Sequence, residues 1–180
     1  MQLKHLITGI SVLALAVTSL AQQQPQDKSK RPSPPGIAEA TLKGKKVTIE
    51  YSRPFMKGRK VVGGELVPYG KVWRTGANEA TTLTTEIDLN IGGATIPAGK
   101  YTLYTLPSET GWKLIINKQT GQWGTIYDEK QDLVRVDMKT SQLSDPVEQF
   151  TILLEPHGDA LAQLSLQWET TQVSVPVRAW

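Results

Sequence analysis

The sequence predicts an all-β protein, an antiparallel β-sandwich, with a jelly roll or a closed barrel as alternative topologies. Apolar and polar residues alternate with a period of two along most of the chain after Gly36, and Gly, Pro and Asn recur between the alternating runs. About eight or nine short strands separated by turn signals are typical of a sandwich. Only Asp128 to Asp132 and Thr140 to Leu143 have the composition of a helical turn.

A β-hairpin is predicted around Lys43-Gly44-Lys45. The preceding run, Ile37 to Leu42, supplies one strand, and in the following run Val47, Ile49 and Tyr51 alternate with polar residues. Because successive side chains of a strand point to opposite faces, these three residues are expected on one buried face.

The middle of the chain predicts a strand from Leu83 to Leu89 and a turn at Asn90 to Gly93. A second turn, Pro97-Ala98-Gly99, leads into Lys100 to Leu106, a run with large side chains on both faces. Such a run is typical of a central strand, which is covered on both sides.

The later strands show the strictest alternation, so their apolar residues are expected to face one core. These residues are Val134, Val136, Met138, Phe150, Ile152, Leu164, Leu166 and Trp168. Pro176 interrupts the closing run Val173 to Val177 and indicates an edge strand, because proline cannot donate to a neighbouring strand.

The N-terminus has the pattern of a secretory signal peptide, predicted as residues 1–21. Lys4 and His5 precede an apolar run from Leu6 to Val17, and Ser19-Leu20-Ala21 supplies the small residues of a cleavage site. The apolar run is too short for a membrane span, so no span is expected once it is removed. We therefore expect an exported protein, periplasmic or extracellular.

Residues 22–36 form a proline- and glutamine-rich leader with little to bury, and they are expected to be extended or disordered. Its basic cluster of Lys28, Lys30 and Arg31 is typical of a solvated tether. Residues 37–180 then make a single sandwich domain, long enough to bury a full core.

Composition argues against several classes of function. The chain has no Cys, which excludes disulfides, thiol nucleophiles and Cys-ligated metals, and its formal net charge of +3 makes nucleic acid a poor partner. His157 is the only His after the signal peptide, with no nucleophile motif and no ligand spacing around it. No catalytic residue, metal site or cofactor is predicted.

Several motifs together resemble family 2911 of the domains of unknown function, which are exported bacterial proteins. The longest is Leu66 to Thr81, with its run Trp73-Arg74-Thr75-Gly76-Ala77-Asn78-Glu79. The others are Ser52-Arg53-Pro54, Lys57-Gly58-Arg59, Ala98-Gly99-Lys100-Tyr101, Asn117-Lys118, Gln122-Trp123-Gly124, Tyr127-Asp128 and Pro146-Val147-Glu148. The resemblance runs from about Arg31 to Glu155 and implies an exported all-β domain, leaving the function to the residues.

The segment Tyr69 to Thr81 is the main candidate for a functional site. It lacks the pattern of a strand or a helix, and it holds Trp73, Arg74, Asn78 and Glu79 among small residues. Arg74 supplies several hydrogen-bond donors in one plane, Glu79 a carboxylate and Asn78 an amide. Together on one loop, these groups suit a polar ligand such as a glycan, a peptide or a small anion. The alternative is that Arg74 and Glu79 pair with each other while Asn78 binds loop backbone.

Aromatic residues on the predicted loops support the same site. Tyr69, Trp73, Trp123 and Tyr127 lie near polar residues, and aromatic rings flanked by polar groups are typical of sites where sugars stack. The alternative is that each Trp closes an end of the sandwich, as large apolar side chains usually do.

The sequence favours an exported, non-catalytic domain that binds a polar ligand through Tyr69, Trp73, Arg74, Asn78, Glu79 and Trp123. One alternative is a hydrolase that uses the Glu79 carboxylate, with Arg74 as electrostatic support. Another is a structural envelope or surface protein in which the loop only locks the fold.

Overall fold

Nine antiparallel strands form one continuous sheet in residues 27–180, the part of the chain that this computed structural model describes. They are β1 (Pro35–Leu42), β2 (Lys45–Ser52), β3 (Thr82–Thr85), β4 (Leu89–Ile91), β5 (Ala94–Ile96), β6 (Gly99–Leu106), β7 (Trp112–Asn117), β8 (Asp132–Pro156) and β9 (Leu161–Ala179). The order is β1-β2-β3-β6-β7-β8-β9-β4-β5, so the sheet is open. The all-β, antiparallel prediction is confirmed, and the sheet is not a closed barrel.

Outside the strands, the described chain has 3-10 turns at Lys28–Lys30 and Glu129–Gln131. The second confirms the helical turn predicted at Asp128 to Asp132. None of the described helical segments has the length and apolar character needed to cross a membrane. The predicted signal peptide, residues 1–21, lies outside the described residues.

The sheet folds over on itself because β8 and β9 are long and bent. β8 pairs with β7 up to Met138 and with β9 from Lys139 onward, and its register with β9 shifts on either side of Val147. Such irregularities bend a strand and increase its twist. The backbone N–H of Ile152 donates to the Tyr51 hydroxyl at 2.9 Å, which joins β8 to the facing strand β2 in a sandwich-like arrangement.

The core lies between the two halves of this sheet, and it confirms the predicted apolar face. Of the eight residues predicted there, all but Val134 are buried, and Val134 packs partly buried against the same cluster. The prediction succeeded because strict alternation reports directly on which side of a strand is covered.

Two local predictions for the strands hold. The first hairpin turns at Lys43 and Gly44, which both have positive φ (49° and 72°) as a tight two-residue turn requires. Lys100 to Leu106 lies within β6, which is central because it pairs with β3 on one side and β7 on the other.

Three others are wrong. Leu83 to Leu89 is not one strand, since the chain leaves β3 after Thr85 and enters β4 in the other half of the sheet. Thr140 to Leu143 lies inside β8, where pairing with β9 overrides its helical composition. Pro176 does not mark an edge, because β9 lies between β8 and β4. Proline is tolerated there since the β8 pairing ends at Ser174 and the β4 pairing starts at Val177.

Candidate functional site

The long connection between β2 and β3, which contains the predicted loop, is fixed to the sheet by backbone hydrogen bonds. Trp73 and Thr105 of β6 exchange both of their backbone hydrogen bonds, at 2.8 and 2.9 Å. Gly70 N–H donates to Pro107 C=O at 2.9 Å, and Leu103 N–H donates to Thr81 C=O at 2.9 Å. The loop therefore continues the sheet along the side of β6 that pairs with β3, and its side chains have defined positions.

Trp73 is buried in the aromatic core and presents little surface to solvent. Its ring stacks on Trp168 with centroids 5.8 Å apart and meets Phe150 edge-on at 5.0 Å. Trp112 completes the cluster at 6.4 Å. These contacts agree with the alternative interpretation, in which Trp73 closes an end of the sandwich.

Thr75 forms a sharp turn immediately after Arg74. It is fully buried with φ of 53°, a left-handed conformation that a β-branched residue rarely adopts and that costs about 1–3 kcal/mol. The turn is held because its hydroxyl donates to Thr105 Oγ1 at 3.2 Å, while its carbonyl accepts from Thr81 Oγ1 at 2.7 Å. Backbone strain maintained in this way is common beside binding sites.

Arg74 does not pair with Glu79, so that predicted alternative is wrong. Its Nε donates weakly to Gly76 C=O at 3.3 Å, and Arg74 forms no ion pair within residues 27–180. Its aliphatic stem lies against Gly124, where an added Cβ would be 2.8 Å from the Arg74 Cδ. A half-buried guanidinium thus retains donors that no described residue uses.

An open groove of about 330 Å³, which we call the Arg74 groove, lies beside this side chain. Its walls combine apolar, aromatic and polar residues, with Glu65 as the acidic one. They are Glu65, Leu66, Val72, Trp73, Arg74, Tyr104, Gly124, Thr125 and Tyr127. Polar and apolar groups contribute about equally to this lining, so the groove suits a ligand that is itself part polar and part apolar.

Two tyrosines form an ordered wall of the Arg74 groove. The rings of Tyr104 and Tyr127 meet edge-on with centroids 4.8 Å apart. Tyr104 donates to Ile126 C=O at 2.6 Å, and Tyr127 donates to Asp132 at 2.7 Å. Burial, followed by the hydrogen bond to Asp132, raises the pKa of Tyr127 to about 12, so this ring stays neutral at physiological pH. Both hydroxyls are engaged and Tyr104 is buried, so the partly buried ring of Tyr127 is the part of this wall that a ligand can contact.

Glu79 lies in a different groove and is bound by cations from residues 27–34, the segment before β1, which we call the arm. Arg31 Nη1 donates to both Glu79 oxygens, at 2.8 and 3.0 Å, and Lys28 Nζ lies 3.0 Å from Oε1. Burial raises the pKa of Glu79, but the hydrogen bonds from Arg31 and Lys28 outweigh it and lower that pKa to about 2. Glu79 is therefore a carboxylate acceptor at neutral pH and not a proton donor.

Asn78 also holds the arm. It adopts φ of 58°, and its Nδ2 donates to Ser33 C=O at 3.1 Å, while Arg53 N–H donates to Pro34 C=O at 2.8 Å. The leader was expected to be extended or disordered on composition, yet its described part has a defined path. Composition measures only what a segment can bury, whereas polar contacts to distant residues hold the arm.

Tyr69 and Trp123 are the exposed aromatic residues of the predicted site. The Tyr69 side chain is half-exposed and packs over Gly63, where a Cβ would lie 2.6 Å from its ring. Trp123 is 48% exposed and lies opposite Glu79 in an isolated antiparallel bridge. The bridge is framed by hydrogen bonds from Gly124 N–H to Asn78 C=O and from Ala80 N–H to Gln122 C=O. Directly opposed residues project side chains to the same face, so Trp123 belongs with Glu79 and the arm.

The structure thus separates the predicted residues. Arg74 borders one groove, while Asn78, Glu79 and Trp123 belong to the arm contact. Trp73 is mainly core, and Tyr69 packs over Gly63 outside both grooves. Sequence reasoning missed the role of the arm cations Lys28 and Arg31 and of two residues of the groove wall, Tyr104 and Gly124. It did place Tyr127 among the loop aromatics. In the sequence, the basic cluster could have pointed to the role of the arm, and the position of Gly124 next to Trp123 could have pointed to that glycine.

The fold and these grooves define an all-β domain with an open nine-stranded sheet. Its sequence matches the family described as "Protein of unknown function (DUF2911)" over residues 33–177. The protein belongs to this family, which confirms the resemblance seen in its motifs. Searches of curated proteins and of solved structures found no match.

Proposed function

We propose that this protein is an exported, non-catalytic binding domain that holds a polar ligand with an anionic group in the Arg74 groove. The observation that carries the proposal is the guanidinium of Arg74, which borders an open groove with aromatic walls and forms no ion pair within the described residues. Export to the periplasm or the cell exterior is part of the proposal and is supported by the N-terminal sequence pattern.

The groove favours a ligand that combines a carboxylate with a flat apolar face. A guanidinium binds carboxylates in two-pronged geometry, and the Tyr127 ring offers a face for sugar or peptide C–H groups. The carboxylate of Glu65 can accept from a hydroxyl or ammonium at the rim. At about 330 Å³ the groove is larger than a small inorganic anion needs, so an acidic sugar or a short peptide fits it better.

The hydrolase alternative is less well supported. Glycoside hydrolysis needs one carboxyl group that gives up a proton and a second one on the other side of the bond. Glu79 is ionised and bound by Lys28 and Arg31, which leaves it unsuited to the first role at neutral pH.

The test is titration calorimetry of the full chain against a fixed set of compounds. The set contains glucuronate and glucose, tripeptides with free or amidated C-termini, and phosphate. We expect wild type to bind a carboxylate compound and not its neutral partner. Arg74→Gln should weaken binding by about tenfold or more, since it removes a charge-assisted pair.

Lys71→Gln is the matched control, because Lys71 is an exposed cation on the same loop that does not border the groove. It should bind like wild type. The proposal is overturned if wild type binds none of the compounds, or if Arg74→Gln and Lys71→Gln affect binding equally. The first outcome would favour the structural alternative.

A further inference from the structure

The contacts between the arm and the domain are of the kind that a peptide-binding protein makes with a basic peptide. Two of its cations, three positions apart, share one carboxylate: Lys28 at 3.0 Å and Arg31 at 2.8 Å from Glu79 Oε1. Glu79 is connected to its surroundings through the bridge to Trp123, so the carboxylate has a fixed position. The fixed Glu79 carboxylate therefore favours segments that carry two positive charges at a defined spacing.

The arm backbone is bound as well as its side chains. The Asn78 amide donates to Ser33 C=O at 3.1 Å, and Arg53 N–H donates to Pro34 C=O at 2.8 Å. Hydrogen bonds to main-chain carbonyls do not depend on the side chains of the bound segment. These two hydrogen bonds would bind any chain that is extended at the positions of Ser33 and Pro34 and that carries its cations in the same register.

The contacts of the arm are weak enough for another peptide segment to displace it. The 3-10 turn of the arm has no buried residue, and the Glu79 side chain remains 41% exposed. A groove of about 280 Å³ lies between the arm and the sheet, with Lys28, Arg31, Glu50 and Glu79 among the residues that line it. Because exposed ion pairs contribute little to stability, the arm can leave without unfolding the domain.

We propose that the face formed by Asn78, Glu79 and Trp123 is a binding site for basic peptide segments, which the arm occupies within its own chain. The partner is a segment that makes one 3-10 turn between two cations three positions apart, as Lys28 and Arg31 do, and that continues as extended chain after the second cation. The Trp123 ring, on the same face as Glu79, adds an aromatic surface for the cationic side chains. No residue of this face lines the Arg74 groove, so this site is separate from the proposed ligand site.

Because the arm is tethered, it competes with added peptide at an effective concentration in the millimolar range. Wild type should consequently bind such peptides weakly. In the double variant Lys28→Ser/Arg31→Ser, which keeps the full chain, the arm loses its ion pairs and the face becomes accessible. Its melting temperature, measured beside wild type, checks that the domain remains folded.

The experiment measures binding of a fluorescent, capped peptide with the sequence of residues 27–36 by anisotropy at low salt. We expect the double variant to bind at least about tenfold more tightly than wild type, since the competing arm is removed. Adding Glu79→Gln to the double variant should abolish this gain. Adding Glu50→Gln, which removes a carboxylate from the same groove that does not pair with the arm, should leave it unchanged.

The proposal is overturned if the folded double variant binds no more tightly than wild type, or if Glu79→Gln and Glu50→Gln reduce binding equally. The second result would mean that only net charge attracts the peptide. Adding Arg74→Gln should leave peptide binding unchanged, so a failed search for ligands of the Arg74 groove would not affect this result.

Discussion

The side chain of Arg74 lies directly against the backbone of Gly124. A Cβ at position 124 would be 2.8 Å from Arg74 Cδ and 2.8 Å from Asn78 C=O, closer than atoms of real side chains approach. The glycine is therefore what allows Arg74 to lie along this wall of its groove, and the pair provides a direct test of the groove's role.

Gly124→Ala should displace Arg74 and weaken ligand binding about as much as Arg74→Gln does. The forced contact should also lower the free energy of unfolding by about 1–3 kcal/mol, as overpacking does elsewhere. Gly111→Ala is the control, because a Cβ at Gly111 meets no atom within 4 Å. Unchanged binding by a folded Gly124→Ala variant would show that the position of Arg74 is irrelevant to the ligand.

Arg74→Ala should lower the free energy of unfolding by only about 1 kcal/mol or less, a typical cost for a half-exposed residue with one weak hydrogen bond. Loss of one partner of a buried ion pair would instead cost about 3–5 kcal/mol. Urea unfolding of the variant beside wild type distinguishes a weakly bonded Arg74 from one in a buried ion pair. A loss in the larger range would mean that Arg74 has an acidic partner in solution.

The Glu79 ion pairs should make stability depend on pH in the acid range. The pKa of Glu79 is lowered to about 2 in the folded chain from about 4.5, so its contribution is fully present above about pH 5 and is lost as the pH falls toward 2. Because the side chain is 41% exposed, solvent screening limits the contribution to about 1 kcal/mol.

The measurement is the difference in unfolding free energy between wild type and Glu79→Gln at several pH values. That difference should be largest near pH 6 and should shrink steadily toward pH 3. A difference that stays constant with pH would mean that Lys28 and Arg31 do not hold the carboxylate. Glu50→Gln, measured in parallel, corrects for the general effect of removing a surface charge.

Leu164→Ala should lower the free energy of unfolding by about 2–5 kcal/mol, because Leu164 is buried in the core between the halves of the sheet. Its neighbour Gln163 points to the other face and is half-exposed, so Gln163→Ala should change that free energy by about 0.5 kcal/mol or less. Denaturant unfolding of both variants tests the register of β9. Equal effects would show that the register is wrong.

Export should produce a mature chain that begins at or near Gln22, because small residues occupy both positions that a signal peptidase reads. N-terminal sequencing of protein recovered outside the cytoplasm checks this. Recovery of a chain that still begins at Met1 would argue against a cleaved signal.

The strands were predictable where one face is buried and the other is exposed to solvent. In the last part of β9, the buried residues Val173, Val175 and Val177 alternate with more exposed ones, and that pattern directly records burial. The break between Thr85 and Leu89 was not predictable in the same way. Alternation continues through it, and nothing local indicates that the chain moves to the other half of the sheet.

The site was only partly predictable, for a different reason. Arg74 and Glu79 are close in sequence and opposite in charge, which favours a pair, but the turn at Thr75 separates them into two grooves. A Thr in left-handed conformation has no local signal, because the conformation is imposed by its tertiary hydrogen bonds. The true partner of Glu79, Arg31, is 48 positions away, beyond the range of any sequence pattern.

The long strand β8 has a consequence for how the molecule can come apart. β8 pairs with β7 in one half of the sheet and with β9 in the other, so a division between the halves must cut its backbone. Fragments split at that line would each lack part of β8 and should not reassociate into a native-like whole. A break in the connection between Pro156 and Leu161 leaves both β8 and β9 intact and is a suitable place to make a functional split protein.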